Sequence, residues 1–279
     1  MTYDTESFYY RLARPGYSVF PGAHPGQMVG SGQLFTRHEP LLASPDPRRI
    51  DLRASLLDPF NSYRVRMFQQ HSRLTVYVIA DLSASMTVRL SMLSDFLRSA
   101  AQSALQLGDN FGFIGCGSSL DYGWLLPAGL AMEPIWEMSL RLAQWQPNGT
   151  ADSLQQISPL LPTRRSLLFL VSDCHFSLIR LRQILQPLTS HVVVPLVWWD
   201  AAEYQDLPEW GLVRFKDAES RYARTMLMRP YLKQRIIQSF EQRRIALTDT
   251  FRSFGMEPLF FSGEYRAETM TQYFQQHPL

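Results

Sequence analysis

The fold of this chain is decided by one stretch, Leu74-Thr75-Val76-Tyr77-Val78-Ile79-Ala80-Asp81-Leu82-Ser83-Ala84-Ser85. Its first seven residues are almost all apolar or β-branched, which is typical of a strand buried on both faces of a parallel sheet. Polar residues begin at Asp81, so we expect the strand to end there. Ser83 and Ser85 follow at alternate positions, and a turning loop would direct their hydroxyls and the Asp81 carboxylate toward one point.

Downstream of this strand, the sequence alternates between helix and strand patterns. Apolar residues recur at helical spacing over 89–107, Gly108 follows them, and the run 111–116 predicts the next strand. Further segments are a possible hairpin strand at 122–126, helices at 131–144, 152–161, 177–187, 230–254 and 266–275, strands at 166–173, 191–199 and 256–261, and a hairpin at 211–228. This alternation predicts an α/β fold with a doubly wound, mostly parallel sheet.

The N-terminal part has a different composition. Residues 14–47 are rich in Gly and Pro, with turn dipeptides such as Pro21-Gly22 and Pro25-Gly26, and they show little helical periodicity. We therefore predict an irregular or β-rich N-terminal extension over 1–72, packed on a main domain over 73–279. The hairpin near 211–228 is expected to be an insertion in that main domain.

Composition excludes several classes of protein. The 279 residues include 27 Lys and Arg against 25 Asp and Glu, a net charge of +2, which argues against nucleic acid as the main partner. The two cysteines make neither a disulfide framework nor a zinc site. The N-terminus lacks the pattern of a signal peptide, and the longest apolar run, 192–199, is far shorter than the roughly 20 residues of a membrane span. We expect a cytoplasmic protein without a membrane span.

Two predicted strands end on an aspartate, Asp81 and Asp173. In open α/β sheets, ligands bind beyond the carboxyl ends of the strands, where the strand order reverses. Thr150 lies in a turn before a predicted helix and could add a hydroxyl to those of Ser83 and Ser85. Oxygen ligands with two negative charges suit Mg²⁺ or Mn²⁺, so these five residues form a predicted metal site.

Each of these residues also has a structural explanation. Either serine of the loop could cap the helix that follows, Asp152 could cap its own helix, and Asp173 could be an ordinary strand-end residue. His175 allows an acid–base role or a hydrogen bond within its loop. Cys174 could act as a nucleophile, or it could be a buried residue beside a strand. A further alternative is a structural scaffold that no longer binds a metal. The presence of all five residues argues against it, because a site without function would readily lose one of them.

The set of five resembles the metal-ion-dependent adhesion site of von Willebrand factor A domains, which combines an Asp-x-Ser-x-Ser loop, a distant Thr and an Asp that ends a later strand. By that resemblance, the metal would be contacted by Ser83, Ser85 and Thr150, with Asp81 and Asp173 acting directly or through water. The sixth position would be open to an Asp or Glu from a partner protein. Many such domains have Gly after the last Asp, where this chain has Cys174, so we expect that loop to differ.

A second resemblance lies upstream. The segments Arg49-Ile50-Asp51-Leu52-Arg53 and Val65-Arg66-Met67-Phe68 precede the metal loop. This order is similar to that of bacterial von Willebrand A-like proteins commonly encoded beside MoxR-type AAA+ ATPases, and the resemblance covers about residues 11–230. Many of those proteins carry membrane helices; the chain resembles the soluble branch, which includes the MxaS-like proteins. The resemblance implies a non-catalytic adaptor that works with a MoxR-type ATPase in maturation or metal insertion of a client complex.

The alternative from another class is a Mg²⁺-dependent, phosphatase-like hydrolase with Asp81 as its nucleophile. That chemistry normally requires a second Asp two residues later, where this chain has Ser83, and a supporting Lys. The two lysines, Lys216 and Lys233, lie at no obvious strand end. The sequence also contains no phosphate-binding loop, no His-Glu-x-x-His and no Gly-x-Ser-x-Gly. We therefore expect a protein that is not an enzyme.

Overall fold

A computed structural model of the chain describes residues 6–10, 21–30, 34–43, 46–60, 62–147, 149–216 and 223–277. These residues form two compact units. One contains the described residues up to Tyr10 and from Thr75 onward, and the other contains those between 11 and 74.

The smaller unit is a three-stranded antiparallel sheet with a short helix. Its elements are β1 (Pro21–Gly30), β2 (Leu34–Pro40), α1 (Leu52–Leu56) and β3 (Arg64–Ser72). Strand β3 is central and pairs with β1 on one side and with β2 on the other. The N-terminal extension is therefore β-rich where the structure describes it.

Asp51 connects the two upstream segments that carry the second resemblance. One of its carboxylate oxygens accepts hydrogen bonds of 3.0 and 3.2 Å from the backbone N–H groups of Arg53 and Ala54, and so caps α1. The other oxygen accepts a bond of 2.7 Å from Arg66 Nε and lies 3.1 Å from His38 Nε2. The Arg66 hydrogen bond is the main reason that the pKa of Asp51 lies below its usual range. The two segments therefore meet through one buried carboxylate.

The main unit alternates between strands and helices. Its elements in chain order are β4 (Thr75–Asp81), α2 (Leu90–Gln106), β5 (Asn110–Cys116), β6 (Leu125–Gly129), α3 (Glu133–Gln144), β7 (Leu167–Ser172), α4 (Leu178–Leu185), β8 (Val192–Trp198), α5 (Ala201–Tyr204), β9 (Gly211–Lys216), β10 (Ala223–Met228), α6 (Pro230–Ser253), β11 (Leu259–Phe261) and α7 (Ala267–Gln276). Six strands form one sheet in the order β11-β8-β7-β4-β5-β6, and only the β5–β6 pair is antiparallel. The mostly parallel sheet is confirmed.

Helices cover both faces of this sheet, because successive side chains of a strand point to opposite sides. On one face, Tyr77 and Ile79 of β4 belong to a buried cluster with Leu181 of α4 and Leu247 of α6. On the other face, the ring of Phe169 on β7 meets the ring of Phe96 on α2 edge-on at 5.4 Å. The strands β4, β7 and β8 are accordingly buried almost throughout, and the doubly wound arrangement is confirmed.

One predicted helix is wrong. Instead of a helix over 152–161, the chain forms two 3₁₀ helices, Asp152–Gln156 and Ser158–Leu160. Pro159 is the physical reason, since it has no backbone N–H and its ring clashes with the preceding turn of an α-helix. Short 3₁₀ turns avoid both problems because each spans only a few residues.

The hairpin strand near 122–126 also begins later than predicted. A 3₁₀ turn occupies Tyr122–Trp124, and only then does β6 pair antiparallel with β5. The hairpin β9–β10 is present and separate from the main sheet, while its predicted turn at 217–220 lies outside the described residues. Within the described part of the chain, no helix is long and apolar enough to cross a membrane.

The first described residues complete the core of the main unit. The Phe8 ring lies 5.9 Å from Phe169 and 6.1 Å from Phe274, between strand and helix. Tyr10 donates a hydrogen bond of 2.7 Å from its hydroxyl to the buried carboxylate of Asp109. Phe8 and Tyr10 are therefore part of the main unit's interior, while Tyr9 between them is exposed.

Candidate metal centre

The candidate site lies where the sheet topology reverses. From β4 the chain runs out to β5 and β6, and it returns to the other side of β4 as β7. Asp81 is the last residue of β4, and Asp173 directly follows β7. Because these strands are parallel neighbours, both carboxylates lie at the same edge of the sheet, at the position where open α/β sheets bind ligands.

Hydrogen bonds from both strands orient the Asp81 carboxylate. One oxygen accepts from Ser83 N at 2.8 Å, which turns the chain just after the strand. The other accepts from the Ser172 hydroxyl at 2.7 Å, across the β4–β7 pair. Burial and the negative charge of Asp173 raise the pKa of Asp81 to about 6. The two carboxylates are therefore close enough for their charges to repel.

Asp173 has one oxygen that no described residue satisfies. Its Oδ1 accepts a hydrogen bond of 3.1 Å from His175 N, and its carbonyl accepts one of 2.9 Å from Trp199 Nε1. Its Oδ2 is buried and accepts no hydrogen bond from the described part of the chain. Leaving a buried polar atom without a partner costs on the order of 1–3 kcal/mol, and more for a charged group. A cation at this oxygen would remove that cost.

The two serines of the loop face each other. Ser83 Oγ and Ser85 Oγ lie 3.0 Å apart. Ser83 occupies the N-cap position of the 3₁₀ turn Ala84–Arg89, but its side chain makes no capping hydrogen bond. Asp152 also makes no cap; its carboxylate accepts from the Thr150 hydroxyl and pairs with Arg180 at 2.7 Å. For Ser83 and Asp152, the structure therefore does not support the capping explanation.

The backbone of the Gly149–Thr150 turn is brought to the same edge. Ala84 N donates to Gly149 O at 2.9 Å, and Ser118 Oγ accepts from Thr150 N at 3.1 Å. Gly149 has φ +106°, and a Cβ there would lie 2.4 Å from Ser118 Oγ, so only glycine fits. The Thr150 hydroxyl donates to Asp152 at 2.6 Å. Thr150 therefore lies next to the loop, with its hydroxyl bonded to Asp152 instead of to Asp81 or Asp173.

Cys174 has the backbone conformation that glycine favours. Its φ is +54°, the only positive φ of a non-glycine residue in the described ranges, and such a conformation costs roughly 1–2 kcal/mol. Ser172 Oγ accepts from Cys174 N at 2.9 Å, and Arg243 of α6 donates to Cys174 O at 2.7 Å. Burial, and after it the charge of Asp173, raises the pKa of the Cys174 thiol well above its usual range. The thiol therefore stays neutral, which does not favour a nucleophile.

Three residues near the site were not predicted: Ser172, Arg89 and Glu203. The buried Arg89 donates to Ser85 O at 2.8 Å and to Glu203 Oε1 at 2.6 Å. Glu203 Oε2 lies 3.4 Å from His175 Nε2, so Glu203 links the loops that follow β4 and β7. Burial lowers the pKa of His175, but the hydrogen bond to Glu203 and the charge of Asp173 outweigh it and raise that pKa overall. His175 thus contacts α5 as well as its own loop.

The residues present fit a hard dication. Nowhere among the described residues do three or more His, Cys, Asp or Glu side chains gather as a metal cluster. An ion at this edge would therefore rely on two carboxylates and on hydroxyls, and would keep some of its water, as Mg²⁺ usually does. A dication would also offset the repulsion between Asp81 and Asp173 and satisfy Asp173 Oδ2.

Fold and site together define a doubly wound α/β protein with an oxygen-rich edge at the switch point of its sheet. The family described as "Protein of unknown function DUF58" matches residues 47–245, more than half of the chain, and the chain belongs to this family. No protein with a curated description matches the sequence significantly.

Several solved structures share remote similarity with the chain. One is an aerotolerance-related membrane protein from Bacteroides fragilis with multiple mutations to serines (11% identity, 73% of this chain and 97% of that chain, TM-score 0.42). Another is the conserved hypothetical protein BatB from Bacteroides thetaiotaomicron (10% identity, 73% and 98%, TM-score 0.40). A third is the pilus adhesin SpaC from Lactobacillus rhamnosus GG in its open conformation (13% identity, 73% and 29%, TM-score 0.43). At these scores the similarities carry no argument about function.

Proposed function

We propose that this chain is a non-catalytic, metal-dependent module for protein–protein interaction. The Mg²⁺ or Mn²⁺ ion would be held by Ser83, Ser85, Thr150, Asp81 and Asp173. The observation that carries the proposal is the buried Asp173 Oδ2, which has no hydrogen-bond partner among the described residues and lies beside a second buried carboxylate. The resemblance of these five residues to the adhesion site of von Willebrand factor A domains supports the same proposal.

The chain's own groups prepare such a site. Ser83 N and the Ser172 hydroxyl orient Asp81, and His175 N orients Asp173 while leaving Oδ2 available. Of the five proposed ligands, two are carboxylates and three are neutral hydroxyls, so the ligands themselves do not over-neutralise a dication. A bound Mg²⁺ would supply an exchangeable position that attracts an Asp or Glu of the partner.

The partner that we propose is a MoxR-type AAA+ ATPase, with a role in maturation or metal insertion of a client complex in the cytoplasm. Support comes from the upstream segments that resemble proteins encoded beside such ATPases. In the folded protein, the Asp51–Arg66 ion pair of 2.7 Å holds these two segments together. The resemblance would therefore concern a folded surface of the smaller unit as well as the metal loop.

Metal binding is tested with Mn²⁺ as the probe, by titration followed with electron paramagnetic resonance. We expect Asp81→Ala and Asp173→Ala to weaken Mn²⁺ binding by at least about tenfold, because each removes a charged ligand. Asp249→Ala, which removes an exposed carboxylate of α6, is the matched control and should change nothing. Unchanged Mn²⁺ affinity in folded Asp81→Ala protein would contradict the site.

Partner binding is tested by pull-down of a MoxR-type AAA+ ATPase from the same organism, in Mg²⁺ and in EDTA. We expect binding in Mg²⁺ for the wild type and for Asp249→Ala, and loss of binding in EDTA or with Asp81→Ala. Full retention by Asp81→Ala would exclude the adhesion-site mechanism. Hydrolysis of p-nitrophenyl phosphate that disappears in Asp81→Ala would instead favour the phosphatase-like alternative.

A further inference from the structure

The hairpin β9–β10 and the helix α6 enclose an apolar groove that the proposed metal site does not use. A cavity of about 560 Å³ lies there, within the range of sites that bind ligands or anchoring side chains. Its apolar lining is contributed by Leu207, Val213, Phe215, Met226, Ile236 and Phe240. The hairpin forms a two-stranded sheet of its own, separate from the six-stranded sheet.

The register of the hairpin assigns one face to the groove. Val213 and Met226 are directly opposite each other, and both line the cavity. Leu212 and Leu227 form the neighbouring pair, and they point to the other face because side chains alternate along a strand. They are 77% and 49% exposed. The hairpin therefore offers two adjacent apolar pairs, of which only one contacts the groove.

The hairpin strands and the first part of α6 are basic, whereas the α5 side of the groove carries Glu203, Asp206 and Glu209. Residues 211–216 and 223–240 contain six Lys or Arg residues and no Asp or Glu. Arg229 and Arg235 are exposed at and near the N-terminus of α6. The acidic residue in the lining is Glu203, which already contacts Arg89 and His175. An incoming surface with negative charge would therefore be electrostatically complementary to the hairpin and α6 side of the groove.

Apolar side chains continue beyond the cavity on α6. Tyr231 is 74% exposed and Ile237 is 38% exposed. Apolar surface of this kind, rimmed by charged residues, is typical of a site for another protein. An amphipathic helix places apolar anchors at positions i, i+3, i+4 and i+7 into such a groove and presents its polar residues to the rim.

We infer that the groove between β9–β10 and α6 binds an acidic amphipathic helix of a partner protein. The apolar anchors of that helix would contact Val213, Met226 and Phe240, and its Asp or Glu residues would face Arg229 and Arg235. The groove starts beside the candidate metal centre, because Glu203 lines it and also accepts from Arg89, which holds Ser85. One partner can therefore reach both surfaces, although binding in the groove itself requires no metal.

The test uses the full chain and a labelled peptide of about 18 residues, or roughly five helical turns, with Leu at the anchor positions and Glu elsewhere. A second peptide carries Lys in place of every Glu. Binding is measured by fluorescence anisotropy in EDTA, so that failure of the metal proposal does not affect the result. We expect the acidic peptide to bind at least about tenfold more tightly than the basic one, with an affinity that falls as salt rises.

Variants then locate the bound peptide. Met226→Asp should weaken binding of the acidic peptide by at least about tenfold, because it adds like charge and removes an apolar contact, whereas Leu227→Asp on the opposite face should change it less than about twofold. Circular dichroism and thermal unfolding verify that both variants are folded. If Met226→Asp disrupts the hairpin, Ile236→Asp on α6, at another residue that lines the groove, replaces it, with an expected loss of several-fold.

Three results would overturn the inference: no binding of the acidic peptide, equal binding of both peptides, or an equal loss of affinity in Met226→Asp and Leu227→Asp. The chain could also cover the groove with a second copy of itself. Analytical ultracentrifugation would then show a dimer that Met226→Asp dissociates, and this outcome too would reject a partner helix as the occupant.

Discussion

Arg89 and Glu203 form an ion pair of 2.6 Å in which the Arg89 side chain is 5% exposed and that of Glu203 is 35% exposed. The same guanidinium donates to Ser85 O, so the pair joins the loop after β4 to α5. Glu203→Ala would leave a buried cation with one carbonyl partner. We expect a loss of on the order of 1–2 kcal/mol in the free energy of unfolding, a value reduced for the partial exposure of Glu203.

Urea unfolding measures this loss, and the exposed pair Arg252–Glu257 supplies the control. Its side chains are 59% and 29% exposed, so Glu257→Ala should cost less than about 0.5 kcal/mol. A double-mutant cycle with Arg89→Met should show that most of the Glu203 effect depends on Arg89. Equal effects at Glu203 and Glu257 would mean that burial of Arg89 does not strengthen the pair.

Ser172 should matter for metal affinity although it is not a proposed ligand. Its hydroxyl donates to Asp81 at 2.7 Å and accepts from Cys174 N at 2.9 Å, so it orients both proposed carboxylate loops. Ser172→Ala should weaken Mn²⁺ binding by roughly tenfold to a hundredfold, the usual effect of losing a residue that orients a ligand. Electron paramagnetic resonance measures the affinity.

The control is Ser103→Ala, which removes another buried serine hydroxyl, bonded to Ser99 O and to Phe8 N on α2 and the N-terminal segment. Both variants should lose comparable stability, but only Ser172→Ala should lose Mn²⁺ affinity. If the two variants bind Mn²⁺ equally well, Ser172 does not orient the site.

The sequence predicts those features that depend on local pattern. The apolar run that ends at Asp81 predicts a buried strand and its polar end, and the alternation that follows predicts the doubly wound sheet. The sequence does not predict that Thr150 donates its hydroxyl to Asp152, because Asp152 begins a 3₁₀ helix where the pattern predicts an α-helix. The contact between Arg89 and Glu203 joins residues 114 positions apart, and no local pattern encodes such a pair.

Cys174 and Cys116 should respond oppositely to glycine. Both thiols are buried, but Cys174 has φ +54° whereas Cys116 is the last residue of β5. At Cys174, glycine should be more stable than alanine by about 1 kcal/mol, because it relieves the left-handed strain. At Cys116, glycine should be less stable than alanine by roughly 0.5–1 kcal/mol, because it adds backbone entropy to a strand.

Thermal or urea unfolding of the four single variants gives the difference in stability between glycine and alanine at each position. Both variants at a position lack the thiol, so its loss cancels in that difference. The sign is the critical measurement. If glycine is less stable than alanine at both positions, then the loop after Asp173 does not hold Cys174 in the left-handed region.

Asp58 should make the smaller unit sensitive to acid. It accepts hydrogen bonds from Ser62 and from Arg64, the latter at 3.0 Å from Nε. The Ser62 hydroxyl, followed by Arg64, lowers the pKa of Asp58 from 3.8 to about 2. Because the folded pKa lies below the unfolded one, this carboxylate stabilises the fold above about pH 4, and its contribution disappears as the pH falls toward 2.

Asp58→Asn removes that titration and keeps the shape of the side chain. The urea midpoint of the wild type should therefore fall more steeply between pH 5 and pH 2 than that of Asp58→Asn. Only the wild type takes up a proton at this position when it unfolds. Asp249→Asn, an exposed carboxylate on α6, should retain the wild-type slope. If Asp58→Asn is as acid-sensitive as Asp249→Asn, the bonds from Ser62 and Arg64 do not hold the Asp58 pKa down, and another carboxylate is responsible for the acid response.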